Sequence, residues 1–295
     1  MFDSEVSWDA PLRLFGAVHH LVLTGAAPDA LSGRWEDFTA ALAEHEVELR
    51  RRIATRGVQT NEVKRCTALL PAFLTAAVET GLAVELLELG PSAGLNLLAD
   101  RYRYRYANGV WGPADARLEF VAREGDGRVP AELLVEDLVV RRRRGIDLAP
   151  VDATSAEGYL LLRSFLWPGL NERVERLDAA VETLRELPDP LELIQGDYLV
   201  ALPDLLDARP SDALTTVFDT FSTPYLSIDA AGELRSVLDD AAADGRPLAW
   251  VSVRRWDPTS GPQDGLFELG LRVWPGAPRL AAYVDPHGNW LDWRL

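Results

Sequence analysis

Hydrophobic residues recur at helical spacing through the first 83 residues of the chain. Gly25 and Gly57 interrupt the pattern, and each is a typical helix-terminating residue. A third stretch begins near residues 60–61, and we expect Pro71 to kink that helix. The pattern predicts an N-terminal helical cap over residues 1–83. The apolar positions that define the first two helices are Leu12, Phe15, Val18 and Val22, then Trp35, Phe38, Leu42, Leu49 and Ile53.

From residue 84 onward, short apolar runs alternate with amphipathic stretches. The clearest amphipathic helix spans 172–187, with Asn171 as its cap. Alternating strands and helices indicate an α/β domain over residues 84–295, with a mostly parallel sheet covered by helices on both faces. A short Pro-Gly-Ala-Pro link joins the last two runs, which predicts a hairpin and hence an antiparallel C-terminal strand. The runs that we predict to be strands are 84–89, 116–122, 138–147, 191–196, 214–219, 247–253, 266–273 and 280–284.

One segment interrupts the alternation. Residues 101–137 are irregular, but Tyr102, Tyr104 and Tyr106 alternate there with arginines. A period of two is typical of a strand. We therefore expect this segment to be an insertion that forms a strand pair.

The net charge of the chain limits the kinds of molecule that it is expected to bind. The 295 residues carry a formal net charge of -16, which disfavours binding to the anionic backbone of a nucleic acid. One dense basic run, 141–144, is short and lies inside a predicted strand, where a solvated or ion-paired sheet edge explains it. We therefore expect a small-molecule substrate. The oligomeric state does not follow from the sequence.

The amino-acid types in the chain also indicate the cellular compartment. The lone cysteine, Cys66, excludes an internal disulfide and fits a reducing cytoplasm, and its apolar neighbours predict a core thiol. The N-terminus has no signal-peptide pattern, and no apolar run approaches the ~20 residues that span a bilayer. The four histidines show no metal-ligand spacing. These features predict a cytoplasmic protein without a membrane segment or a metal site.

The most informative stretch for function runs from Val84 to Asn96. An apolar strand carries Glu88 near its end, and Gly90 and Gly94 then flank a serine before helix-forming residues. Glycines in a strand-to-helix turn let backbone N–H groups approach a ligand, and a helix N-terminus favours a negative group. A carboxylate at the strand tip accepts hydrogen bonds from a cation or a sugar hydroxyl. The turn therefore predicts a ligand site.

Three more predicted strands end in acidic residues. Asp147 ends the predicted strand 138–147, where a carboxylate can accept from both hydroxyls of a ribose. Asp197 follows the predicted strand 191–196 and could accept from an adenine amino group, with Tyr198 flanking the ring. Asp219 ends the predicted strand 214–219 and Thr220 follows it, where a doubly wound sheet places its reactive groups. An isolated acid at such a position is usually a turn or helix cap, but the shared position of all three favours a site.

The order of these motifs resembles the core of class I S-adenosylmethionine (SAM) methyltransferases. The sequence E-x-G-x-S-x-G-x-N is followed by G-I-D-L-A-P, by Q-G-D-Y and by a V-F-D strand, so the resemblance covers about 84–290. Ser92 replaces the usual third glycine of the family, and residues 101–137 lengthen the gap between Gly94 and Asp147. The resemblance implies a doubly wound, Rossmann-like domain of the class I methyltransferase type.

The same resemblance implies SAM as the cofactor and a small molecule as the methyl acceptor, which it does not identify. Asp219 and Tyr225 are the implied catalytic residues, and Thr220 lines the implied acceptor pocket. The implied SAM-binding residues are Glu88, Gly90, Ser92, Gly94, Asn96, Asp147, Asp197 and Tyr198.

The whole chain also resembles a bacterial family catalogued as domain of unknown function 2332. The segments that carry this resemblance are Arg56–Val63, Glu88–Leu97, Gly145–Asp152 and Pro286–Trp290. The family name implies no reaction, so this resemblance bears on the fold more than on the activity.

Four consecutive polar residues, 59–62, lie between two predicted helices. A helix cap needs only one Thr or Asn. Gln59, Asn61 and Glu62 are therefore candidates for substrate binding from the helical side, and helix capping remains the open alternative.

Two other functions remain open. Ser92 also fits the nucleophile elbow of an α/β-hydrolase, with Asp219 or Asp257 as the acid and His287 as the base in the chain order of that class. The helical pattern before residue 84 opposes this, because a hydrolase needs several strands before its elbow. The other alternative is a non-catalytic or regulatory Rossmann-like binding module, since a fold does not determine a function.

Overall fold

The computed structural model describes residues 9–223, 226–254 and 267–295 of the chain. The chain divides into two compact units. The first contains the described residues up to Asn61 together with Val151–Val181, and the second contains Glu62–Pro150 and Glu182–Leu295. The candidate residues Tyr225 and Asp257 lie outside the described residues.

The elements alternate as the hydrophobic pattern predicts. The α-helices of the described residues are α1 (Ala10–Leu23), α2 (Trp35–Glu44), α3 (Glu46–Thr55), α4 (Cys66–Thr80), α5 (Ala156–Ser164), α6 (Asn171–Arg185), α7 (Tyr198–Asp207) and α8 (Ile228–Ala242). The strands there are β1 (Val84–Leu89), β2 (Arg103–Tyr106), β3 (Gly109–Trp111), β4 (Glu119–Val121), β5 (Val140–Asp147), β6 (Glu192–Gln195), β7 (Leu214–Asp219), β8 (Leu248–Arg254), β9 (Phe267–Val273), β10 (Arg279–Val284) and β11 (Leu291–Trp293). Short 3₁₀ turns occur at Val63–Arg65, Leu95–Arg101 and Leu133–Val135.

The first unit has a helical core formed by α1, α2 and α3. Val18 and Leu49 are fully buried in it. Helix α5 joins this core, where the ring Nδ1 of His19 lies 3.1 Å from the carbonyl oxygen of Ser164. Burial lowers the pKa of His19 and of His20, which favours neutral core side chains. Across the described part of the chain, no cluster of three or more His, Cys, Asp and Glu is arranged to hold a metal ion.

The second unit is built on a sheet that has eight strands among the described residues, in the order β11-β10-β9-β8-β7-β1-β5-β6. The five strands from β6 to β8 in this order are parallel. Strands β9, β10 and β11 each run antiparallel to the strand before them. The predicted α/β class with a large, mostly parallel sheet is therefore confirmed. The antiparallel end is longer than the predicted hairpin because β11 extends it. Helix α4, which the sequence-based division places in the cap, lies in this unit.

The chain enters this sheet at β1, which is the central one of the five parallel strands. It adds β5 and β6 on one side before it crosses over to add β7 and β8 on the other. In open parallel sheets, ligands bind outside the carboxyl ends of the strands at such a reversal of strand order. The reversal here lies between β1 and β7, whose last residues Leu89 and Asp219 are paired in register.

Helices cover both faces of the parallel strands. On one face, Phe73 of α4 packs on Phe218 of β7 with ring centroids 5.0 Å apart. On the other face, Leu202 of α7 shares a buried cluster with Leu89. Side chains alternate along a strand, and Glu88 is paired in register with Phe218. Glu88 therefore lies on the α4 face of the sheet.

Pro71 lies inside α4, and the helix continues through it to Thr80. A proline lacks the N–H that would bond to the carbonyl four residues earlier, which here is that of Thr67. The hydroxyl of Tyr106 donates to this carbonyl at 2.8 Å. A side chain of the inserted segment thus satisfies the acceptor that the proline leaves.

The inserted segment forms a three-stranded sheet in the order β3-β2-β4. Strands β2 and β3 are antiparallel and form the predicted strand pair, and β4, which lies within the predicted strand 116–122, adds a parallel third strand. All three alternating tyrosines are buried. The hydroxyls of Tyr102 and Tyr104 donate to the carbonyls of Leu95 and Ala99. The insertion therefore braces the 3₁₀ turn that follows β1.

The basic run on β5 is fully ion-paired. Its pairs are Arg141–Asp212, Arg142–Glu192, Arg143–Asp100 and Arg144–Glu85. Ion pairing is confirmed. The expected edge position holds in part, because β6 pairs with β5 only from Arg144 onward and leaves 141–143 without a partner strand on that side among the described residues. No helix in the described ranges is both long enough and apolar enough to span a bilayer.

Candidate functional site

The turn after β1 packs tightly against the turn after β7. Gly90 has a φ of 72°, and a Cβ placed on it would lie 2.6 Å from the Cβ of Ser222. The hydroxyl of Ser222 donates to the carbonyl of Leu89 at 2.6 Å. A side chain at position 90 would collide with the Ser222 side chain, and the positive φ also favours glycine. Gly90 therefore lets the turn after β1 pack against the turn after β7.

Ser92 continues this turn in the left-handed region, with a φ of 56°. This conformation costs a non-glycine residue about 1–2 kcal/mol, which explains why a glycine is usual in the motif that the turn resembles. The Ser92 N–H donates to Asp147 Oδ2 at 2.8 Å, and the Ala149 N–H donates to Asp147 Oδ1 at 2.9 Å. The Asp147 carboxylate thus ties the turn after β1 to the end of β5.

Glu88 is the most unusual group at this edge. Its side chain is fully buried, and its Oε1 accepts from Asn96 Nδ2 at 3.4 Å and from Thr220 Oγ1 at 3.3 Å. Its Oε2 is also buried and has no hydrogen-bond partner in the described part of the chain. Burial raises the pKa of Glu88 to about 8. A buried carboxyl oxygen without a hydrogen-bond partner is costly, and a ligand with a cationic or donor group at this place would offset that cost.

Asn96 supports Glu88 from inside the protein. It is fully buried, and its Nδ2 also donates to Thr220 Oγ1 at 3.2 Å. Its Oδ1 accepts from the thiol of Cys66 at 3.4 Å. Burial raises the pKa of this thiol well above its usual range, so Cys66 is the core thiol that its apolar neighbours predict. Through its bonds to Glu88 and Thr220, Asn96 holds the Glu88 carboxyl in position.

Arg65 is a member of this cluster that the sequence did not reveal. Its Nη1 donates to the carbonyl of Thr220 at 3.2 Å, and its Nε donates to the carbonyl of Pro286 at 2.9 Å. Its guanidinium lies 4.6 Å from the ring centroid of Phe221. The positive charge of Arg65 acts to lower the pKa of Glu88, against the larger effect of burial. No local spacing rule connects Arg65 with a strand tip so far away in the sequence.

The turn after β7 is held by Asp219. This residue is fully buried, and its Oδ1 accepts from Thr223 Oγ1 at 2.8 Å and from the Thr223 N–H at 3.4 Å. Phe221 within the turn has a φ of 71°, which is unusual for a bulky residue. Burial, with a contribution from the Asp219 carboxylate, raises the pKa of Tyr198 to about 12. Tyr198 and Asp219 therefore lie near each other at this edge.

The remaining predicted site residues either cap a helix or turn or belong to the first unit. Asp197 is exposed and accepts from the Leu199 N–H at 2.9 Å, as the N-cap of α7. Glu62 accepts from the Lys64 N–H at 3.2 Å and caps a 3₁₀ turn. Gly94, with a φ of 74°, precedes the 3₁₀ turn after β1. Gln59 and Asn61 belong to the first unit.

His287 lies in a compact turn. The Asp285 carboxylate accepts from the N–H groups of His287 and Asn289, at 2.8 and 3.0 Å. The His287 side chain is exposed. Residues 9–83 contain no strand, whereas an α/β-hydrolase has several strands before its nucleophile elbow. The lack of strands before the turn at Ser92 therefore opposes the hydrolase hypothesis.

The chain is thus an α/β protein whose mostly parallel sheet carries buried acids and tight turns at the carboxyl ends of its central strands. It belongs to a family described as "Uncharacterized protein conserved in bacteria (DUF2332)", whose model matches residues 5–293. This match confirms the family resemblance seen in the sequence, over both units. No curated protein and no solved structure matches the chain.

Proposed function

We propose that this protein binds SAM at the carboxyl ends of β1 and β7 and transfers its methyl group to a small molecule. The observation that carries the proposal is Glu88, whose buried Oε2 has no hydrogen-bond partner in the described residues. It lies beside Gly90, at the reversal of strand order where parallel sheets bind nucleotide-like ligands. The resemblance of the motif order to class I methyltransferases selects SAM among such ligands.

Each strand end has a role in this proposal. Glu88 binds the amino group of the cofactor's amino-acid end, where a positive charge stabilises the carboxylate. The turn through Gly90 and Ser92 gives close backbone approach. Asp147 binds the ribose hydroxyls through lone pairs that its two backbone bonds leave available. Asp197 and Tyr198 bind the adenine.

SAM carries an activated methyl group, so the chain's residues need only position the acceptor and exclude water. The acceptor's nucleophilic atom bonds to the methyl carbon as the carbon–sulfur bond breaks, which leaves S-adenosylhomocysteine. Asp219 takes or orients the acceptor's proton, and Thr220 lines the acceptor pocket. The overall charge of -16 favours a small acceptor over a nucleic acid.

S-Adenosylhomocysteine should bind at a single site and raise the melting temperature of the protein. The reason is that a ligand that binds only the folded state stabilises it by mass action. Calorimetry and thermal shift with SAM, S-adenosylhomocysteine and, as a control, NAD would measure this. No heat and no shift at about millimolar ligand would contradict the proposal, because that concentration detects even affinities near −4 kcal/mol.

A non-catalytic binding module is the second candidate, and the same site would serve it. It predicts the same heat of binding but no conversion of SAM when extracts of candidate acceptors are added. Formation of S-adenosylhomocysteine with an acceptor favours the enzyme.

The left-handed backbone of Ser92 is one observation that a nucleophile elbow would also show. If Ser92 only shapes the turn, Ser92→Ala should change the affinity for S-adenosylhomocysteine by no more than a few-fold, since the Ser92 contact to Asp147 is made by its backbone N–H. Wild-type protein should also resist a fluorophosphonate probe. Covalent labelling that disappears in Ser92→Ala would establish the hydrolase instead.

A further inference from the structure

A cavity of about 210 Å³ lies on the α8 face of the sheet, against β8 and β9. Its walls include Arg235 of α8, Trp250 and Ser252 of β8, and Gly270 of β9. Gly270 has no side chain, which leaves room above the sheet. None of these residues belongs to the candidate SAM site.

Two donors in this wall have no acceptor. The indole Nε1 of Trp250 and the hydroxyl of Ser252 are both buried and have no hydrogen-bond partner among the described residues. Ser252 is only 3% exposed. Buried polar groups in folded proteins are nearly always paired with protein, water or a ligand. Arg235 adds a guanidinium to the same wall, so the cavity offers donors and positive charge.

Trp274 and Arg272 also line this cavity, and both contact Asp239. The Trp274 indole Nε1 donates to Asp239 Oδ1 at 3.0 Å. Arg272 pairs with the same carboxylate oxygen at 2.7 Å, and its guanidinium lies 4.2 Å from the Trp274 ring centroid. Asp239 thus neutralises Arg272 and leaves Arg235 as the charge available to a ligand in this cavity.

We propose that this cavity binds a small carboxylate that carries a flat ring. The carboxylate accepts hydrogen bonds from Ser252 and Arg235, which are charge-assisted and directional. The ring packs against the indoles of Trp250 and Trp274, in a volume that admits a single-ring acid. In a protein with a net charge of -16, such a donor-rich cavity provides local selection for an anion.

Benzoate and its neutral analogue benzamide test this proposal by calorimetry and ligand-observed NMR on the full chain. Benzoate should bind saturably in the millimolar range, and benzamide about tenfold more weakly because it lacks the charge. Arg235→Gln should weaken benzoate binding about fivefold or more, and Ser252→Ala should weaken it as well. Arg279→Gln is the matched control, because Arg279 is paired with Glu79 and does not line the cavity.

Three results would overturn the proposal. They are no saturable benzoate binding up to about 20 mM, equal binding of benzamide, and equal losses in Arg235→Gln and Arg279→Gln. Arg235 is exposed, so its replacement should leave the fold intact. The affinity for S-adenosylhomocysteine should be unchanged in Arg235→Gln, so this proposal and the SAM proposal succeed or fail separately.

Discussion

Replacing Glu88 with glutamine should abolish binding of S-adenosylhomocysteine and should stabilise the ligand-free protein at pH 8. The binding loss follows because glutamine cannot form a charged pair with the amino group of the ligand. The stability gain follows because the wild-type carboxyl is fully buried and its Oε2 has no partner in the described residues. A residue that costs stability while it binds a ligand is typical of a functional site.

The wild-type protein should become less stable relative to Glu88→Gln as the pH rises. The pKa of Glu88 is raised to about 8 in the folded state, from an ordinary value of 4.5 in the unfolded chain. Its neutral form is compatible with folding below the unfolded pKa, and stability is lost as the pH rises through the folded pKa. Between pH 5 and pH 8 the wild type should lose on the order of 4 kcal/mol relative to Glu88→Gln, at about 1.36 kcal/mol per unit. Denaturant unfolding at both pH values would measure the difference.

Ligand affinity should show the opposite pH dependence. The carboxyl must lose its proton to bind an ammonium group, so the affinity of the wild type should fall about tenfold for each unit that the pH drops below 8. Glu85→Gln is the matched control, because Glu85 lies on the same strand and is paired with Arg144. That variant should keep both the affinity and its pH dependence. Equal affinities in wild type and Glu88→Gln would remove Glu88 from the site.

Replacing Asp147 with alanine should lower both the stability and the affinity for S-adenosylhomocysteine. The carboxylate accepts from the N–H groups of Ser92 and Ala149, and each charge-assisted bond is worth about 1.5–3 kcal/mol. The loss leaves the left-handed turn at Ser92 without its tether, so we expect destabilisation of about 2–4 kcal/mol. The affinity should fall by about tenfold or more, because the ribose contact and the turn are lost together.

The control for Asp147→Ala is Asp244→Ala. Asp244 accepts from the Arg246 N–H at 2.9 Å, in the turn that follows α8, and it is not among the proposed SAM-binding residues. It should cost stability without changing the affinity. An Asp147→Ala protein of normal affinity would mean that the ribose lies elsewhere, and Glu119 or Glu124 of the insertion would then be the acids to test.

The α/β class could be predicted from the sequence because short apolar runs and amphipathic helices differ in period and length. Strands β1 and β7 have the predicted boundaries, since Gly90 follows the leucine-rich run of β1 and Asp219 ends the β-branched and aromatic run of β7. The order of strands in the sheet depends on the crossover connections, and these cannot be predicted from the hydrophobic pattern of the sequence. The 3₁₀ turn after β1 is also less helical than predicted, because Gly94 and the braces from Tyr102 and Tyr104 shape it.

The candidate residues could be predicted where they lie at the end of a recognisable strand. Glu88 lies in β1 and Gly90 and Ser92 follow it, so a motif could find them. Arg65 and Ser222 join them through tertiary packing and carry no local signal. The contact between Ser92 and Asp147 likewise depends on the pairing of β1 with β5. Such long-range contacts determine which acidic residues are buried and which remain exposed helix caps, as Asp197 does.

A crystal structure of the protein grown with S-adenosylhomocysteine tests the central claim most directly. The ligand should lie across the carboxyl ends of β1 and β7, with its amino group within hydrogen-bond distance of Glu88 Oε2 and its ribose hydroxyls at Asp147. A ligand bound at another edge of the sheet, or crystals without bound ligand at saturating concentration, would contradict the assignment of this edge as a SAM site.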